Sequence, residues 1–295
     1  MSPNEMSPHD MGPHDMGPND MEHFLLTRFN VRLADRPAAT DQWLRDRLRL
    51  FTTFTVPSVH AQTCTDFRWL ALCDEASPDW LREELAQVAM LEPVWVREAW
   101  TPGLPAAVVH EQRAGADGLV VTSRLDNDDA IARTYIARVQ AAATEEGFVN
   151  FTSGAQWAHG RLYRRLDPSN PFISRVETGP RAATVFAADH NKLAALGPIR
   201  QFGGGPMWLQ VVHDGNLENR TNGIRMSPTE LTQRFTIAAA PKGVSRLGLA
   251  VAQAGTTARM AARMLARPRR LLLLAQTRRN RVRPTSPRVH SPDPP

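Results

Sequence analysis

Cysteine, tyrosine and long apolar runs are all scarce in this 295-residue chain. Two cysteines, Cys64 and Cys73, cannot build a disulfide framework, and no second pair of metal ligands stands near them. They read as reduced, partly buried thiols, which fits a reducing compartment. The N-terminus lacks the basic and apolar regions of a secretory signal, so a cytoplasmic location is expected. The longest aliphatic run near the C-terminus, Leu271 to Ala275, is far short of the ~20 residues that cross a bilayer. Acidic residues are also nearly missing from the C-terminal stretch. From Gly243 onward eleven arginines stand against Asp293 alone, about +10, which leaves about −5 for residues 1–242. The overall +5 and the high isoelectric point therefore describe the tail, and the chain as a whole does not read as a nucleic-acid binder.

What is present divides into three parts. Residues 1–21 hold a five-residue repeat, MSPNE, MSPHD, MGPHD, MGPND, with proline in every unit and almost nothing apolar to bury. This is expected to be disordered, and its His and Asp residues to be solvated rather than metal-binding. Met21, where the fold-like pattern begins, could serve as the natural start. Residues 22–240 carry the pattern of one domain, and residues 241–295 read as a basic arm, a helix followed by a disordered tail.

Within the domain, apolar strands alternate with helices. His23 to Phe29, Phe67 to Leu72, Val94 to Val96 and Gly118 to Ser123 read as strands. Thr40 caps a helix to about Phe54, stopped by Pro57, and Ser77-Pro78 opens another to about Met90. Ala130 to Ala143 reads as a third helix. Phe148 to Phe151 and Gly160 to Arg164 read as hairpin strands, Thr184 to Ala187 as a further strand, and Met207 to Val212 as a short apolar run after a glycine loop. The alternation predicts an α/β fold with a mostly parallel central sheet flanked by helices, whose ligands sit beyond the carboxyl ends of the strands.

LVVTSRLDNDDA is the most informative stretch. A hydrophobic strand delivers Asp126, Asn127, Asp128 and Asp129 to its carboxyl end, and side chains one and three along an extended segment share a face. Two such carboxylates suit a hard divalent cation on a diphosphate. The alternative is a helix N-terminus, which also favours Asp and Asn. A second stretch, VVHDGNLENR, places His213 as a candidate third metal ligand and Arg220 as a phosphate clamp, or else forms a polar loop. For acid–base work Glu177 is the first candidate and the Asp189-His190 pair the second, with surface ion pairing of Glu177 as the alternative. Trp157, Trp208 and Tyr163 are candidates either for stacking on a sugar face or for the core.

The ordered series HFLLTRFNVR, LFTTFTVPSVHAQTCTDFRWLALCD, RLDNDDA and VVHDGNLENR, spanning about Phe24 to Arg220, resembles a rhamnosyltransferase family of bacterial glycosyltransferases. The resemblance implies a GT-A type nucleotide-sugar fold. It assigns Asp126, Asp128 and His213 to the metal, and Arg28, Asn30, Arg124, Asn216 and Arg220 to the donor, with Asn219 as a polar companion. It implies Mn²⁺ or Mg²⁺, a nucleoside-diphosphate-sugar donor such as dTDP-L-rhamnose, and a glycan or lipid-linked acceptor. A nucleotidyltransferase or metal phosphohydrolase could use the same acids, and a degenerate glycan- or membrane-binding protein is the non-enzymatic rival. In the arm, Arg259, Arg263, Arg267 and Arg270 recur at three- or four-residue spacing along a basic amphipathic helix that Pro268 interrupts, which suggests either peripheral contact with an anionic membrane or a solvated helix.

Overall fold

A computed structural model describes residues 21–113, 118–213 and 223–265. The N-terminal repeat, Asn216, Asn219, Arg220 and the tail beyond Leu265 lie outside the described residues. The chain forms two units, one through Gly243 and one from Val244 onward.

In the first unit the apolar run MEHFLLTR becomes strand β1 (Met21–Arg28). Thr40 accepts a hydrogen bond from the amide of Trp43 and so caps helix α1 (Asp41–Leu50), as its sequence predicts. The helix does not stop at Pro57. It widens into a π-helical turn, Phe51–Thr55, and continues as α2 (Val56–His60) with the proline in its first turn. Proline cannot donate to the carbonyl of Thr53, and that carbonyl instead accepts from the amide of Ala238 at 2.8 Å. The terminating force of Pro57 is thus met by a distant segment.

Next come β2 (Arg68–Asp74), α3 (Asp79–Ala86), β3 (Leu91–Val96), α4 (Leu104–Gln112) and β4 (Leu119–Arg124). The expected helix from Ala130 divides into the short strand β5 (Ala130–Ile131) and α5 (Tyr135–Ala142). Its alanine-rich start would favour helix, yet both residues are buried and pair with a later strand. Then follow β6 (Gly147–Phe151), β7 (Ser153–Ala158), β8 (Arg161–Leu166), β9 (Ile173–Thr178), β10 (Ile199–Phe202), β11 (Trp208–Val212), β12 (Ile224–Arg225) and α6 (Pro228–Thr232). The anticipated hairpin of 148–151 with 160–164 is not formed. The hairpin is β7 with β8, while β6 joins another sheet. Thr184 to Ala187 is a turn rather than a strand, with Thr184 at φ +64°.

The larger sheet has seven strands in the order β10-β6-β9-β4-β1-β2-β3. All its pairs are parallel except those of β9, which runs antiparallel between β4 and β6. Neighbouring residues of β1 enter different clusters: Leu25 packs with Leu44, Phe51 and Val59, whereas Phe24 and Leu26 pack with Val108 and Val109. Both faces are covered, which explains the unbroken hydrophobic runs of β1, β2 and β4. The second sheet, β12-β8-β7-β11-β5, has five strands. A Cβ on Gly154 would lie 2.0 Å from the Trp208 ring, so glycine there permits the close approach of β7 and β11. In the second unit, helix α7 spans Arg246–Leu265.

Candidate active site

The site begins where β1 and β4 end side by side. Leu125 donates to the carbonyl of Leu26 at 3.0 Å, carrying the β4 pairing one step past Arg124. The chain then turns through Asp126–Asp129, with the Asp129 amide bonded to the Asp126 carbonyl. No helix starts here. Strand β5 follows directly and α5 begins at Tyr135, so the capping alternative for these acids falls away.

Each acidic-loop side chain has a different partner. Arg124 donates to both oxygens of Asp126, at 3.2 and 2.9 Å. Burial would raise the Asp126 carboxyl, but the Arg124 guanidinium holds it below the usual carboxylate range. The Asn127 amide donates to the carbonyl of Phe29 at 2.7 Å, fastening the loop to the chain beyond β1. Asp128 receives Arg47 of α1 at 2.6 Å and contacts His213 Nε2 at 2.9 Å. Asp129 accepts the amide of Val211 at 2.8 Å, two residues before His213. Burial, then the charges of Asp128 and Asp126, push the Asp129 carboxyl well above the usual carboxylate range.

The two motifs, far apart in sequence, are thus brought into register. Antiparallel pairing of Leu209 with Ala130 and Trp208 with Ile131 places β11 beside the residues following the acidic loop. His213, the next residue after β11, then falls on Asp128.

A cavity of about 710 Å³ opens against this loop, within the ~300–1,000 Å³ range of small-molecule sites. Six arginines and four aspartates line it, a local excess of positive charge inside an acidic body. The Arg28 guanidinium lies over the Trp100 ring at 4.9 Å and lines the cavity, with no side-chain hydrogen bond among the described residues. Burial lowers its pKa, and Asp126 opposes that. Asn30 also lines the cavity, but its amide is used within the protein, donating to Ser77 at 2.8 Å and accepting from the Asp74 amide at 3.2 Å. The second sheet supplies the opposite wall. Arg165 donates to Gln210 at 2.9 Å and to Asp167 at 2.5 Å.

The acid–base candidates fare differently. Glu177 is not brought to the cavity. It sits on β9 opposite Val120, toward the start of β4, and its two oxygens accept the amides of Ala183 and Thr184. It also pairs with Arg175 at 3.0 Å, as the ion-pair alternative anticipated. Asp189 is exposed and paired with Lys192 at 2.8 Å. Its neighbour His190 does line the cavity, with its imidazole pKa lowered by burial and then by Arg124. Trp208 is a core residue, stacked on Phe172 at 5.1 Å with its indole donating to Phe151. Trp157 is buried against Phe54, and Tyr163 is half-buried under Arg225.

Arg47, Arg165, Asp167 and Gln210 have no motif that marks them. Arg47 is one of several arginines on α1, and alternation along β8 shows only that Arg165 shares a face with Tyr163.

Asp128 and His213 are an oxygen and an imidazole donor of the kinds a divalent cation takes, and here they contact each other directly. Asp126 faces Arg124 instead, and among the described residues no group of three His, Cys, Asp or Glu side chains is arranged to hold a metal ion.

A family model described as "Putative rhamnosyl transferase" matches residues 30–225. No curated protein matches the chain. Among solved structures, S. aureus TarS (residues 1–349) in complex with UDP is similar at 12% identity and TM-score 0.41, over 65% of this chain and 60% of that one. The TarS complex with UDP-GlcNAc is similar at 12% identity and TM-score 0.41, over 66% and 59%. The Pyrobaculum calidifontis mannosyltransferase PcManGT, in complex with GDP-Man and Mn²⁺, is similar at 14% identity and TM-score 0.39, over 69% and 61%. The chain spans about 60% of the length of these proteins.

Proposed function

The chain belongs to the family described as Putative rhamnosyl transferase, and on that premise we propose that it transfers a sugar from a nucleoside-diphosphate sugar to a glycan or lipid-linked acceptor. The observation that carries this reading is the convergence of Arg28, Arg124, Asp126 and Asp128 on one cavity at the carboxyl ends of β1 and β4. Strand ends of this kind are where α/β sheets bind ligands. In GT-A terms this is the donor side of the sheet.

Arg28 and Arg124 are the donor's phosphate ligands, because a planar guanidinium matches the oxygens of a diphosphate. Asp128 and His213 would hold a divalent cation, Mn²⁺ or Mg²⁺. Asp126 joins them in this reading, since its partner Arg124 has a better-matched anion in the donor. When bound, such a cation would neutralise the charge building on the departing diphosphate. Rhamnose as the sugar rests on the family description, and dTDP as its carrier only on the resemblance read in the sequence. Asn216 and Arg220 remain proposed donor contacts.

His190 is our candidate for the group that takes the acceptor proton. Its imidazole lines the cavity, and burial favours the neutral form that can accept a proton. The acceptor oxygen then bonds to the anomeric carbon as the carbon–oxygen bond to the diphosphate breaks.

The test is a donor screen with Mn²⁺ or Mg²⁺, reading nucleoside diphosphate release with and without chelator. Chelator-sensitive release from one donor supports the reading. Release of pyrophosphate would indicate a nucleotidyltransferase, and no turnover of any donor would sink the transferase assignment.

A further inference from the structure

Helix α7 exposes an apolar stripe. Leu247 is 76% and Val251 64% exposed, and Ala254 and Ala258 continue the same face, also exposed. The spacing of four, three and four residues keeps them on one side of the helix, and Leu265 returns to it in sequence. Arg259 and Arg263 fall at positions on the opposite side of the helical wheel. An exposed apolar stripe on a helix is costly in water unless something covers it.

Charge identifies the occupant. No acidic residue occurs between Glu230 and Asp293, while eleven arginines lie between Gly243 and the C-terminus. Leu271 to Leu274 stands between the pairs Arg269-Arg270 and Arg278-Arg279, the alternation of apolar and cationic groups suited to the headgroup–acyl boundary. Aromatic residues, which RNA-binding surfaces use to stack bases, are absent after Phe235. No helix among the described residues is long and apolar enough to cross a membrane. We propose that α7 lies on an anionic lipid bilayer, with Leu247 and Val251 entering the interface and the positive charge of this arginine-rich part of the sequence drawing it to anionic headgroups. The surface is independent of the transferase reading, and donor turnover in the same samples reports on that reading separately.

The full chain should co-sediment with vesicles of phosphatidylcholine containing phosphatidylglycerol and not with phosphatidylcholine alone. Binding should weaken steeply as salt rises. Leu247→Glu combined with Val251→Glu, both at exposed positions, should reduce it by at least about tenfold, as should Arg259→Glu with Arg263→Glu. Circular dichroism would verify that the helix persists in each variant. Equal binding to neutral vesicles, unchanged binding of both variants, a stable dimer that the Leu247–Val251 variant dissociates in place of lipid binding, or tighter binding to an RNA duplex at equal salt would each overturn the proposal.

Discussion

Asp128 answers to both halves of the molecule, taking Arg47 from α1 and His213 from the end of β11. Asp128→Asn keeps the shape but removes the negative charge, and nucleoside diphosphate release should fall by about 100-fold or more in a variant shown by circular dichroism to be folded. A variant that kept full turnover would remove the loop from the chemistry. His190→Ala is expected to lower kcat by about 100-fold or more with donor affinity nearly unchanged, measured by calorimetry beside turnover. Away from the cavity, His23 bonds Ser123 at 2.8 Å and is buried, which lowers its pKa from 6.5 to about 3. Its folded pKa lies below its unfolded one, so the stability of the neutral form is fully present above about 6.5 and lost as pH falls toward 3. Urea unfolding at pH 7.5 and 5 should show this loss, and His23→Gln should reduce it. The acidic loop is legible because three acids and an asparagine in four positions after an apolar strand exceed what a helix cap requires. Arg47 and Arg165 are not, since only the folded chain chooses among equivalent arginines.

Asp129 shows how a pairing between short elements can matter more than either element alone. Its oxygen takes the Val211 amide while β5 and β11 pair alongside, and together these set His213 on Asp128. Asp129→Ala would remove the side-chain oxygen that accepts the Val211 amide and should cost about 0.5–1.5 kcal/mol. Asp129→Asn keeps an acceptor oxygen and should cost less; chemical denaturation of both variants compares them. If the two lose stability equally, the fastening role is wrong. The strands β1, β2 and β4 were readable because each is an apolar run covered on both faces. The residues Ala130 and Ile131 were read as helix because alanine favours helix locally, and only the partner strand 77 residues or more further along overrides that. Pro57 misled in the same way, since the donor that relieves it comes from Ala238.

At the scale of the whole chain, charge is divided between a body that is acidic on balance and an arm that is strongly basic. The body still gathers six arginines around its cavity, so the local field there, and not the net charge, is what an anionic donor meets. Against the arm's eleven arginines its own unit, which begins at Val244, holds Asp293 as the single acid. These two assignments separate donor chemistry from surface attachment. A chain ending at Gly243 should therefore release nucleoside diphosphate from a soluble donor mixture within about twofold of the full chain, because the cavity and its cores belong to the first unit. The same truncation should abolish sedimentation with phosphatidylglycerol vesicles. Loss of both activities together would mean that the arm supports the catalytic body, and the division of labour would fail.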